Sequence, residues 1–193
     1  MRNPSPLAYR VASAISWNYR QFDDATAQAE QAVILDPNDP DGYVALAWVL
    51  IFTGHPNEAL AAVQRAMRLD PRNADAYAYV LGLARLGLMQ YKDALIALQR
   101  AQERTPEYLD VNVPLAVVYR HLGRGEEARI ALERYLGAQR HQTATVDQVL
   151  GWWSFKRETD VRRFGGSLIE AGLCCEDLLK QYIENLRRGG TLE

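Results

Sequence analysis

Alanine recurs along this chain with a beat that few folds can accommodate. Ala25, Ala59, Ala94 and Ala128 are separated by 34, 35 and 34 residues. Seven residues after the first three stand Ala32, Ala66 and Ala101, and five further on stand Pro37, Pro71 and Pro106. A fixed period of this length marks a repeat solenoid of helical hairpins, in which each unit buries its apolar face only against its neighbours. Such a chain presents a long surface for grasping a partner. It does not by itself present a catalytic cleft.

Each unit reads as an apolar helix, a short polar turn, a second helix and a stop. The second helices are predicted over 24–35, 58–69, 93–104 and 127–136. An acidic residue (Asp24, Glu58, Asp93 or Glu127) opens each, where the helix dipole is positive. Two alanines seven apart lie only about 20° from alignment on a helix, so they share one face and let a partner helix approach closely. Asp36-Pro37 and Asp70-Pro71 end their helices, because the residue before a proline is pushed out of helical conformation.

In these residues the chain resembles the tetratricopeptide repeat family. The repeat at 75–108 supplies Leu81-Gly82, Tyr91, Ala94, Ala101 and Pro106 at the family's spacing. The repeat at 40–73 supplies Tyr43, Leu46-Ala47, Gly54, Ala59, Ala66 and Pro71. The first, 6–39, is weaker in its leading helix but has Phe22, Ala25, Ala32 and Pro37. The fourth, 109–142, has Leu115-Ala116, Tyr119, Gly123 and Ala128, then departs with Tyr135 and Arg140 where the family has Ala and Pro. That departure predicts a terminal unit whose last helix meets something other than another repeat. The resemblance implies an all-α, right-handed α-solenoid of four helical hairpins, followed over 143–193 by C-terminal capping or interaction helices. It also implies a protein–protein interaction scaffold or regulatory module, and not an enzyme.

Beyond residue 142 the period stops. Val146, Val149, Leu150 and Trp153 keep a helical spacing. A further helix is predicted to start after Thr159-Asp160, with one of them as N-cap, and to carry Val161, Phe164, Leu168 and Ile169 on one face. Gly165-Gly166 is expected to weaken it and Gly172 to stop it. A last helix over 176–187 repeats Leu178, Leu179, Tyr182, Ile183 and Leu186, and Arg187 and Arg188 suit its C-terminal end. Such a helix either caps the open end of the solenoid or serves as a dimerisation or partner helix. The stretch 155–173 is also similar to a segment that follows such repeats in bacterial class III adenylate or guanylate cyclase polypeptides. Phe155-Lys156, Asp160, Arg163-Phe164 and Ala171-Gly172-Leu173 carry that likeness. It implies an alternative role, a regulatory or dimerising arm of a nucleotide cyclase polypeptide.

Little else in the chain points to chemistry. The 22 basic and 24 acidic residues are scattered and leave a net charge of -2. No basic stripe is present to neutralise phosphates, so nucleic acid is not an expected partner. The longest apolar run, 43–52, is about half a membrane span, and the N-terminus has no signal-peptide pattern. Cys174 and Cys175, as sequence neighbours, make a poor structural disulfide. Together these features predict a soluble protein in a reducing compartment, the cytoplasm, and the resemblance to bacterial cyclase polypeptides implies a bacterial source. His55, His121 and His141 stand at no ligand spacing, so neither a metal nor any other cofactor is expected.

The family resemblance implies a concave groove lined by the first helix of each unit. Its candidate residues here are Arg10, Trp17 and Asn18, then Val44, Trp48 and Phe52, then Tyr79 and Leu83, and finally Val117 and Arg120. The family's chaperone-tail binders grip a C-terminal carboxylate with a Lys/Asn/Arg clamp, but Ala14 and Ala76 stand where Asn and Lys would be needed. What remains is an apolar, aromatic groove centred on Trp48, Phe52, Tyr79 and Leu83. The helix 43–52 is apolar all the way round, so every face must be covered. Two faces can meet neighbouring helices. The third is left for the chain's own C-terminal helices, for a protein or peptide partner (an extended segment or a helix), or for a second copy in a homo-oligomer.

Overall fold

The computed structural model describes residues 4–138, 145–151, 153–173 and 176–189. Within them, eight helices pair into four hairpins. These are α1 (Pro6–Asn18) with α2 (Phe22–Leu35), α3 (Pro40–Phe52) with α4 (Pro56–Leu69), α5 (Ala78–Gly87) with α6 (Tyr91–Arg104), and α7 (Asn112–His121) with α8 (Gly125–Ala138). Each hairpin stacks on the next through α2 on α3, α4 on α5 and α6 on α7. The first helices also touch in series, α1 on α3, α3 on α5 and α5 on α7, and so form one continuous inner face. Three helices follow: α9 (Val146–Gly151), α10 (Glu158–Glu170) and α11 (Glu176–Arg188).

The periodic alanines sit where the hairpins close. Ala25, Ala59, Ala94 and Ala128 have no accessible surface, and neither do Ala32 and Ala66. The second helices each begin two residues before the acidic residue that signalled them, at Phe22, Pro56, Tyr91 and Gly125. Pro56 suits this first position, since its missing N–H would have no intrahelical partner there. The third and fourth inner helices each enter through a tighter 3₁₀ turn, Pro71–Tyr77 and Leu109–Val111.

The beat also governs backbone conformation. Within each hairpin turn one residue is left-handed: Arg20 (φ 59), Gly54 (φ 84), Met89 (φ 58) and Gly123 (φ 73). Glycine takes this conformation freely, whereas a side chain there costs about 1 kcal/mol or more. Arg20 gains a contact in return, because its guanidinium Nη2 donates to the Phe155 carbonyl at 2.7 Å.

The C-terminal helices differ from expectation in two details. Helix α10 starts at Glu158 with Arg157 as its N-cap, ahead of the Thr159-Asp160 pair. Asp160 is unavailable as a cap, since its buried carboxylate accepts from Arg157 Nε and Arg163 Nη2, both at 2.9 Å. Gly165 marks a close crossing more than a weak point in the helix. A Cβ there would lie 2.8 Å from Leu179 Cδ1 and 3.0 Å from Leu150 Cδ1, so a larger residue would have to push these two side chains aside where α10 meets α9 and α11. Gly172 (φ 113) follows the end of α10, as its sequence position implied. Leu179 and Ile183 are the buried side of α11.

Candidate binding groove

The inner face collects aromatic side chains because the first three inner helices each contribute to it. Trp17 comes from α1, Trp48 and Phe52 from α3, and Tyr79 from α5. The rings form a connected set, with centroids 5.6 Å apart for Trp17–Trp48, 5.2 Å for Trp48–Phe52 and 6.2 Å for Trp48–Tyr79.

The chain's own C-terminal segment covers one half of this face. Trp153 and Phe155 lie against Phe52 with centroid distances of 5.9 and 5.2 Å, and Phe164 of α10 stacks on Trp153 at 4.7 Å. A backbone bond ties the segment down, as the Lys156 N–H donates to the Phe52 carbonyl at 2.8 Å. Polar contacts edge the seam: Arg120 Nε to Glu170 at 2.8 Å, Lys156 Nζ to Asp23 at 3.1 Å, and Ser167 Oγ with His121 Nε2 at 3.1 Å. Leu83 and Val117 lie beneath the segment, beside a residual void of about 30 Å³. That is room for about two water molecules and no larger ligand.

The other half is open. Trp17, Asn18, Trp48, Phe52 and Tyr79 form one side of a cleft of about 320 Å³. Tyr108, Asp110, Tyr135 and Trp153 complete its walls. Tyr79 meets Tyr108 edge-on at 5.2 Å. Burial pushes the Tyr79 hydroxyl well above its ordinary pKa, with Tyr108 and Asp110 adding to the shift. Burial likewise raises Tyr108, reinforced by the neighbouring Asp110 charge. Asp110 itself is pushed up by burial, against which a hydrogen bond from Tyr108 acts. The Trp17 indole N–H is buried with no partner among the described residues. The Asn18 amide N–H donates to its own helix, to the Ala14 carbonyl at 2.9 Å.

The structure therefore sorts the ten candidate residues into groups. Trp17, Asn18, Trp48, Phe52 and Tyr79 share the cleft. Leu83 and Val117 are buried under the C-terminal segment. Arg120 is engaged by Glu170. Arg10 pairs with Asp39 at 3.1 Å and Asp41 at 2.9 Å, where it joins α1 to the start of α3. Val44 is half-buried against the core. Four cleft residues are not among those ten: Tyr108, Asp110, Tyr135 and Trp153. Two had a signal, since Asp110 occupies a groove position of the fourth repeat and Tyr135 breaks the alanine pattern.

The histidines do structural work where they are described. His121 stacks on Tyr91 with centroids 4.2 Å apart, and burial together with Arg163 holds its pKa below the ordinary value. His55 is exposed, with Nδ1 3.3 Å from Thr53 Oγ1. His141, Cys174 and Cys175 lie outside the described residues. Among the described residues no group of three or more His, Cys, Asp or Glu is placed to hold a metal ion. No described helix is long and apolar enough to cross a membrane.

Comparison with known proteins agrees with the repeat architecture. A tetratricopeptide repeat family model matches residues 85–151. A second, described as anaphase-promoting complex, cyclosome, subunit 3, matches residues 18–101. No curated protein matches at a significant level. Among solved structures, a thermophilic TPR protein of Thermus thermophilus is similar with a TM-score of 0.66 and 20% identity, over 95% of this chain and 100% of that one. PilF of Pseudomonas aeruginosa gives 0.62 and 20%, over 95% and 90%. MamA of Desulfovibrio magneticus gives 0.58 and 18%, over 98% of each chain. Identities this low speak for the fold alone. The chain is an all-α solenoid of tetratricopeptide type.

Proposed function

We propose that this tetratricopeptide-repeat solenoid is a protein-interaction scaffold or regulatory module that receives its partner in the open half of its concave groove. The observation that carries the reading is the aromatic cleft itself. Seven rings and a few polar groups converge on one cavity, and concave recesses of this make-up mark binding sites. At about 320 Å³ the cleft is at the small end of ligand pockets, which run from about 300 to 1,000 Å³. It suits one or two side chains of an extended peptide. A helix laid along the whole groove would have to displace Trp153 and Phe155.

A specific surface supports self-association as a second reading. Leu7, Val11 and Ile15 form a stripe on α1 that is more than half exposed, at 58%, 51% and 53%. Spacing by four puts the three on one helix face, where a second copy could dock. The segment that resembles the post-repeat region of cyclase polypeptides here folds onto the solenoid's inner face. A role as a cyclase arm would use the same docked segment, and no feature of the cleft calls for it.

The groove reading is tested with peptides selected by the wild-type chain from a random display library. Trp48→Ala should weaken their binding about thirtyfold, equivalent to about 2 kcal/mol, as expected for an aromatic anchor. Melting curves on the same samples separate loss of binding from loss of fold. A folded Trp48→Ala protein that binds every selected peptide as tightly as wild type would end the reading.

A further inference from the structure

The cleft is aromatic, but it is not electrically neutral. Among the described residues Asp110 is the one carboxylate on its walls, and no Lys or Arg lines it. Among the described residues Asp110 has Tyr108 as its partner there and no cation. A carboxylate drawn partly out of water without a counter-charge is unfavourable, so the site is completed by a positive group. The surrounding rings add to the same preference. Aromatic faces carry the negative lobe of the ring quadrupole and attract cations. Trp48, Tyr79, Tyr108 and Tyr135 all border the space that Asp110 faces.

The kind of cation follows from what the walls lack. A calcium or magnesium ion takes six or more oxygen ligands, and the described residues hold no cluster that could supply them. A bare ammonium is compact and strongly hydrated, and an apolar wall does little to replace its water. An N-alkylated ammonium is bulky, weakly hydrated and cationic, and it fits a recess walled by seven rings and one carboxylate. We propose that the cleft binds an alkylated ammonium group, held electrostatically by Asp110 and by the ring faces of Trp48, Tyr79 and Tyr108. This rests on the reading of the cleft as the occupied part of the groove. Trp153 comes from the C-terminal segment, so the recess is complete only while that segment is docked. The group could be borne by a free small molecule or by an N-methylated side chain of a protein partner.

The test is a titration of the full chain with choline chloride, followed by the fluorescence of the tryptophans, three of which line the cleft. The control is 3,3-dimethylbutan-1-ol, which has the same shape without the charge. Choline should give a saturable change at least tenfold tighter than the alcohol, and Asp110→Asn should weaken it at least tenfold with an unchanged circular dichroism spectrum. A peptide bearing trimethyllysine, compared with its unmethylated form and with choline, identifies the source. Tighter binding of the methylated peptide than of choline indicates a protein partner, and the reverse indicates a free small molecule. Equal responses to choline and the alcohol, no saturable response to choline or the methylated peptide, or an undiminished response in Asp110→Asn would each overturn the proposal. If Asp110→Asn does not fold, the comparison of choline with the alcohol on the wild type still decides. Selected peptides that depend on Trp48 while no cation binds would leave the scaffold reading standing and remove this one alone.

Discussion

Phe52→Ala is expected to lower the stability of the chain by about 3–5 kcal/mol, the range for deleting a buried aromatic ring. Phe52 is 1% exposed and lies at the junction of the two halves of the groove. On one side its ring is 5.2 Å from both Trp17 and Trp48, and on the other it is 5.9 Å from Trp153 and 5.2 Å from Phe155. Truncation removes packing from the first two inner helices and from the C-terminal segment together. The neighbours cannot all close over the gap, because Trp48 is also packed against Trp17 and Tyr79, and Trp153 against Phe164. Chemical denaturation followed by circular dichroism measures the loss. A loss below about 1 kcal/mol would mean that the C-terminal segment does not rest on this ring.

Ala94→Leu and Ala59→Leu are expected to cost about 1–3 kcal/mol each through overpacking. Both alanines are fully buried near the start of the second helix in a hairpin, facing the first. The third hairpin shows how little room remains. A Cβ added to Gly82 on α5 would lie 2.6 Å from Leu98 Cγ on α6. The added bulk of leucine cannot reach a relaxed rotamer at Ala94 without spreading the two helices. Ile96, 62% exposed on the same helix, supplies the control. Ile96→Leu should change stability by no more than about 0.5 kcal/mol. Thermal melts of the three variants give the comparison, and an Ala94→Leu protein as stable as wild type would contradict the hairpin geometry.

These alanines also explain how much of the fold was legible. A small residue forced by close helix packing repeats whenever the packing repeats, so the four hairpins could be placed from the period alone. The left-handed turn positions keep the same beat, but only Gly54 and Gly123 announce it. Arg20 and Met89 take that conformation without any residue-type signal. The start of α10 was misplaced because Asp160 has the local pattern of an N-cap. Its carboxylate is instead fixed by Arg157 and Arg163.

The cleft was legible only in part, for a geometric reason. Trp17, Trp48, Phe52 and Tyr79 belong to inner helices, where the repeat dictates which side chains face the groove. Tyr108 stands in a connector, Tyr135 on an outer helix and Trp153 in the segment after the repeats. Their convergence depends on tertiary placement and not on the period. Charge misled in the same way. Arg10 and Arg120 occupy groove positions in sequence, yet each is spent on a neighbouring carboxylate.

The docking of the C-terminal segment, on which the division into a closed and an open half depends, can be read from one amide. The Lys156 N–H reaches across to the Phe52 carbonyl at 2.8 Å, a bond that exists only while the segment lies on α3. Hydrogen exchange resolved at Lys156 should be slowed on the order of a thousandfold relative to an open chain, equivalent to opening at about 4 kcal/mol. Exchange at Lys156 as fast as in an unstructured peptide, with the amides of α3 still protected, would show a groove that stands open along its whole length and would contradict the account.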